Sequence, residues 1–326
     1  MVIGGVLGND APDRLRDVTE RHSPKRFARV RVFPGRLLPA NGGTEPRAME
    51  KRVEGAWIIH HSRKLRGVQP PQLQYEQLDF AGRCGVLLSA LAGSRQLQLS
   101  TSRLNALARA NGVSMRLEMP AILDELQRRR LIDRGPEAIE VLGLTSRQTL
   151  EHTASIFSES SPEAEETASL ELAEQCSQSP VAESRAKEYI GDAFKLSRMA
   201  GEAALLSWEQ IGFLDVARVD EKAVYFNGNL FRREDIGRVQ AVLATLTADE
   251  ERKVAEASTA LGASGCLPKE ALLRILGARL YSKMCSIGFL DENTIGNESG
   301  TFTFVTRPSA FCKFAGDASA PCANVA

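Results

Sequence analysis

Aromatic residues are scarce in this 326-residue chain, making up 6% of it, with four Tyr and two Trp. So thin a supply argues against a surface on which successive nucleic-acid bases stack against rings. Histidine is as rare, at four. His22 and His152 stand alone, with no Cys or carboxylate pattern beside them. His60-His61 follows Trp57-Ile58-Ile59, and adjacent residues on a strand point to opposite faces, so this pair is expected to edge the Trp57 cluster rather than chelate a metal. The six cysteines (Cys84, Cys176, Cys266, Cys285, Cys312 and Cys322) form no CxxC pair and have no His at ligand spacing, which reads as reduced thiols in a cytoplasmic protein. No window approaches the roughly eighteen apolar residues of a membrane span, and the opening MVIGGVLGND has no cationic start, so neither insertion nor secretion is expected.

Net charge is also missing. Lys+Arg and Asp+Glu are both 41 and the pI is about 6.9, which excludes the strongly basic balance of a nonspecific nucleic-acid coat. The average conceals an asymmetry: residues 1–70 hold 14 Lys/Arg against 7 Asp/Glu, whereas residues 151–190 hold 2 Lys/Arg against 9 Glu. Catalytic motifs are lacking as well. Gly4-Gly5 and Gly8 are not followed by the Gly-Lys-Ser/Thr of a phosphate loop, and GxSxG, HExxH and paired-carboxylate motifs do not occur. The chain is therefore not expected to be an enzyme, and no cofactor or metal is implied.

What is present is ordinary for a soluble protein, with 43% hydrophobic and 25% charged residues. The length suits two or three domains, each with its own core. Residues 1–70 read as an irregular basic segment with short strands, broken by Pro24, Pro34, Pro39 and Pro46, with Arg29 to Phe33 as one strand candidate. Pro70-Pro71 closes it. Residues 158–184 are rich in Ser, Glu and Ala, with little large apolar content beyond Leu170 and Leu172, and read as an acidic linker. Its glutamates, Glu163, Glu165, Glu166, Glu171 and Glu174, could shield the Arg-rich arm at 14–36 when DNA is absent. Residues 309–326 read as a flexible tail.

Between these lie patterned segments. In 71–157, a helix from Tyr75 to Leu91 ends at Gly93-Ser94, and Leu97 and Leu99 turn inward on a brief strand. Ser100 or Thr101 caps a helix bearing Leu104, Leu107 and Ala108. A third helix tolerates Pro120 in its first turn and carries Met119, Ile122, Leu123 and Leu126 as a buried stripe. Leu131-Ile132 and Ile139-Glu140-Val141 form a hairpin turned at Gly135-Pro136. This order, and the run from Leu123-Asp124-Glu125-Leu126 to Arg130-Leu131-Ile132-Asp133, resembles the winged helix-turn-helix family over about 75 residues. The chain repeats part of the pattern. Ile211-Gly212-Phe213-Leu214-Asp215 recurs as Ile287-Gly288-Phe289-Leu290-Asp291, each between a helical stretch and a hairpin. A full module is expected at 246–308 and a partial one at 185–245, whose first helix would have to come from the acidic linker.

The expected fold is thus mainly α with small β-hairpins (α+β), built of tandem winged helix-turn-helix modules behind the irregular basic segment. The resemblance implies binding of double-stranded DNA, as in a transcriptional regulator or replication initiator, with third-helix side chains in the major groove and cations on phosphates. Candidates in the first module are Arg103, Ser114 and Arg116 near the groove and Arg128, Arg129, Arg130 and Arg134 toward the wing. Those in the last are Lys269, Arg274, Arg279 and Lys283. Asp124 and Glu125 oppose phosphate if they face it, and Arg128 to Arg130 also suit a solvated helix end. The alternative is a scaffold subunit whose winged helices dock protein. A homodimer would match a palindromic site, but the pattern leaves no spare apolar stripe to build one.

Overall fold

A computed structural model describes residues 49–69, 73–94, 96–298 and 300–310. Every described residue belongs to one unit of the chain, Pro34–Ala326. The strand candidate at Arg29 to Phe33, the glycines near the start, His22, the 14–36 arm, Pro70-Pro71 and the tail from 311 onward lie outside the described residues.

The described chain is mainly helical, with three small antiparallel sheets. It opens with α1, Lys51–Leu65, where short strands were expected. Gly55 to Ile59 are buried without alternation, because α1 is wrapped by helices rather than laid on a sheet. A short continuous apolar run does not separate a strand from a buried helix.

The first repeat follows. Helix α2 (Glu76–Gly93) leads to β1 (Gln98–Ser100), α3 (Thr101–Ala110), α4 (Met119–Arg128), β2 (Ile132–Arg134) and β3 (Ala138–Val141). Local chemistry sets these boundaries as expected. Ser100 Oγ accepts from the Arg103 amide at the start of α3, and Pro120 sits in the first turn of α4. Met119, Ile122 and Leu126 are buried. Leu99 is buried too, but Leu97, expected inside, precedes the strand and is 71% exposed. Helix α5 (Ser146–Glu159), started by a Thr145–Gln148 capping box, then packs back on α1 and α2.

The second repeat is complete. It runs through α6 (Ala164–Gln178), β4 (Val181–Ala182), α7 (Glu183–Phe194), α8 (Arg198–Ile211), β5 (Asp215–Val219) and β6 (Lys222–Phe226). Residues 158–184 are therefore not a linker. Ala168, Leu170, Leu172, Ala173 and Cys176 of α6 are buried, and so are Glu166 and Glu171. After α9 (Ile236–Ala244) comes the third repeat: α10 (Ala248–Ser264), β7 (Cys266–Pro268), α11 (Lys269–Ser286), β8 (Asp291–Asn297) and β9 (Gly300–Thr306). Gly277, at φ +73° and ψ 158°, breaks α11 into two helical stretches, so this copy too has three helices.

All three copies share one topology. In each sheet the strand after the first helix pairs with the last strand of the hairpin, giving the orders β1-β3-β2, β4-β6-β5 and β7-β9-β8. The recurring pentapeptides mark the same junction. Gly212 and Gly288 end the third helices with φ of +84° and +70°, which glycine adopts without steric cost, and the following Phe-Leu pairs are buried. In the first copy this backbone position falls on Arg130, at φ +56°. The first two copies share one continuous core, and the third has its own around Leu272, Leu276, Leu280 and Val305. Gln240 Nε2 on α9 donates to the Pro180 carbonyl oxygen at 3.0 Å, tying the second repeat to the helix before the third.

Helices α1, α2 and α5 approach closely because glycine lies at their crossings. A Cβ on Gly55 would sit 2.1 Å from the Leu150 carbonyl oxygen, and one on Gly82 would sit 2.2 Å from Ser62 Cβ. Gly82→Ala is thus expected to force α1 and α2 apart and cost about 1–3 kcal/mol in denaturant unfolding. Gly93→Ala, with open space around it, should leave stability unchanged or slightly higher.

Candidate nucleic-acid interface

The three third helices occupy equivalent places in their repeats, so their exposed faces can be compared directly. On α4 the outward residues are Pro120, Ala121, Asp124, Gln127 and Arg128. Three of the cations expected to reach DNA here, Arg128, Arg129 and Arg134, are held by carboxylates of the same repeat or of α5. Arg128 grips Glu125 with two nitrogens, at 2.9 and 2.7 Å. Arg129 Nε lies 2.5 Å from Glu125 Oε1, and its Nη2 lies 2.9 Å from Glu159 Oε2 on α5. Burial pushes the Glu125 carboxyl up, but the hydrogen bonds from Arg128 and Arg129 outweigh it and hold the group below its ordinary range. Arg134 pairs with Asp124 at 2.8 Å. Ser114 builds the turn before α4: its amide donates to Glu118 Oε2 and its Oγ accepts from the Leu117 amide. Arg103, Arg116 and Arg130 are exposed.

The outward face of α8 is of another kind. It presents Met199, Ala203, Leu206 and Gln210, with Met199 82% and Leu206 56% exposed. Arg198 at its start pairs with Glu202, which also holds Lys187 of α7.

On α11 beyond Gly277, the outward residues are Ala278, Arg279, Ser282 and Ser286. None is acidic. Arg274 is exposed one turn before the break. Two other candidates from the same repeat are engaged. Lys269 pairs with Glu292 of the hairpin at 2.9 Å and lies over the Tyr281 ring, whose hydroxyl donates to the same carboxylate. Lys283 donates to Thr245 Oγ1 at 2.9 Å. Glu250 is the nearby acid: the Thr247 amide it accepts, together with Lys283 and Arg279, holds its carboxyl below the ordinary range.

No family model and no curated protein matches this chain. The functional reading therefore rests on geometry. Among the described residues no cluster of His, Cys, Asp and Glu could hold a metal ion, and no helix is long and apolar enough to cross a membrane. His60 and His61 sit on helix α1, not on a strand. His61 is fully buried with its ring stacked on Phe213 at 3.9 Å, and burial lowers its pKa well below the ordinary value. Burial, reinforced by Lys64 and Arg63, lowers His60 to about 4.

Of the cations singled out from sequence, the structure leaves Arg103, Arg116, Arg130, Arg274 and Arg279 exposed and ties Arg128, Arg129, Arg134, Lys269 and Lys283 to neighbours. The sequence carried a signal for part of this. Glu125 precedes Arg128 and Arg129 by three and four residues, the spacing at which helical side chains meet. The Glu159 contact, thirty residues away in sequence, had none.

The Arg129 side chain is only 11% exposed. Arg129→Ala is expected to lower unfolding free energy by about 1–3 kcal/mol, because Glu125 loses a charge-assisted partner in a half-buried place. Arg128→Ala, at an exposed helix end, should cost well under about 1 kcal/mol.

Proposed function

We propose that the chain is a DNA-binding protein of three winged-helix modules, with the third module making the principal contact. The shared order of helix, strand, helix, helix and hairpin, with the first strand paired to the last, supports the winged-helix reading. The observation that carries the DNA reading is the face of α11 beyond Gly277. There Arg279 stands among Ala278, Ser282 and Ser286, none of them acidic, with Glu250 of α10 the nearby carboxylate, and Arg274 lies close in sequence. Short hydroxyl side chains let a helix approach base edges, while arginines hold phosphate or guanine. The first module contributes Arg103 and Arg116, but its third helix offers Asp124 and cations already neutralised by Glu125 and Glu159.

The experiment is affinity for a mixed-sequence duplex, measured by fluorescence anisotropy from low to physiological salt. Binding should weaken steeply as salt rises, and Arg274→Ala and Arg279→Ala should each reduce the slope of log K against log salt by about one. Arg128→Ala should change neither affinity nor slope. Absence of binding at low salt, or equal effects of all three substitutions, would contradict the assignment to the third module.

A second reading, docking of protein rather than DNA, is favoured at the second module alone. Exposed Met199 and Leu206 have no part in phosphate or base contact.

A further inference from the structure

A cavity of about 570 Å³ lies between the end of α1, the first half of α2 and the turn that leads from α3 into α4. That is the size of a small-molecule pocket. Leu65, Val68, Phe80, Leu117 and Ile122 give it an apolar side. Its polar side is formed by Arg66, Asp79, Arg83 and Glu118, with Glu76 exposed beside them.

The two arginines differ. Arg83 pairs with both Asp79 and Glu118. The remaining oxygens of these carboxylates are also taken, Asp79 Oδ1 by the Ser62 hydroxyl and Glu118 Oε2 by the Ser114 amide, each at 2.8 Å. Arg66 has no such partner. Its Nη1 donates to the Asn111 carbonyl oxygen, in a space kept open by Gly112, where a Cβ would sit 2.8 Å from that nitrogen. Its Nε and Nη2 are buried without a hydrogen-bond partner, and Arg66 forms no ion pair among the described residues. Burial, reinforced by Arg83, lowers the Arg66 pKa, with Asp79 acting the other way. Nε and Nη2 make up one edge of the guanidinium, the edge that receives both oxygens of a carboxylate side by side. A buried cation in this condition is costly until an anion meets it.

We propose that the cavity binds a small organic acid with one carboxylate and an apolar body, the carboxylate on Arg66 Nε and Nη2 and the body against Leu65, Phe80 and Ile122. The fork selects a planar, two-oxygen anion. One cation lacks a counter-ion, and Asp79, Glu118 and Glu76 stand near, so a single negative charge is matched and a phosphate dianion is repelled. The apolar side selects the body. A ligand there bridges α1 and α2 to the turn before α4, because Arg66 holds Asn111 and because Leu117, Glu118 and Ile122 belong to that turn and its helix. The inference concerns this cavity alone and does not depend on the DNA reading.

Amide hydrogen exchange of the full chain tests it, with benzoate, hexanoate and 3-phenylpropanoate at millimolar concentration and constant ionic strength. At least one carboxylate is expected to slow exchange between Gly112 and Ile122 in a saturable way. The neutral amide of that acid, and inorganic phosphate, should give no protection there. Arg66→Lys keeps the charge and loses the fork, and should weaken the affinity by at least about tenfold. If that variant does not fold, the comparison of acid with amide in the wild-type chain decides. The proposal is overturned if none of the three acids protects these residues at tens of millimolar, if the amide or phosphate protects them equally, or if folded Arg66→Lys binds as well as wild type.

Discussion

The described fold depends on hydrogen bonds to the carboxylates of one helix. Glu174 of α6 accepts from Trp57 Nε1 of α1 at 2.7 Å, Glu165 from the Tyr75 hydroxyl at 2.7 Å, and Glu171 from the Tyr189 hydroxyl of α7 at 2.5 Å. Glu166, 1% exposed, accepts the Leu78 amide at 2.9 Å and so completes the amino end of α2, where backbone N–H groups lack partners and the helix dipole favours an anion. It also accepts the Glu163 amide at the start of its own helix. Burial still pushes the Glu166 carboxyl above its ordinary range, against the amides that pull it down. Burying a carboxylate costs several kcal/mol unless its oxygens are occupied, and each charge-assisted bond returns about 1.5–3 kcal/mol. The glutamates are tolerated here because each has a donor, and in meeting those donors they fix α1, α2 and α7 around α6.

That arrangement explains why the first two repeats behave as one body with one core while the third keeps its own. Helix α6 is both the first helix of the second repeat and the surface on which α1 and the start of α2 are bonded. The outward faces of the third helices differ from repeat to repeat. One topology then presents three chemistries: ion-paired and partly acidic on α4, apolar on α8, basic and hydroxyl-rich on the far part of α11. A duplicated scaffold can differentiate in this way at little cost, since outward side chains of a packed helix contribute little to stability.

Much of the local architecture is legible in the sequence. The Ser100 cap, Pro120 in a first turn, the Met119, Ile122 and Leu126 stripe, and the recurring Ile-Gly-Phe-Leu-Asp all act through neighbours a few residues away. What fails does so for the opposite reason. The segment around Glu163 to Glu174 looks like a solvated tether because its polar groups are numerous. Their donors, Trp57, Tyr75, Leu78 and Tyr189, lie up to more than a hundred residues distant. Trp57-Ile58-Ile59 looks like a strand because burial on all sides erases periodicity. At the candidate interface, the Arg129–Glu159 pair removes a cation that composition alone offers to DNA, and the exposed line on α8 emerges only once Trp208 and Leu205 are seen to point inward.

The measurement that bears most directly on this account is amide hydrogen exchange across α6. If the acidic helix is the centre on which α1, α2 and α7 are assembled, amides from Ala168 to Cys176 should exchange only through global opening, among the slowest in the described chain. Exchange of these amides on the time scale of exposed loops would show a tethered segment instead, and would contradict the account.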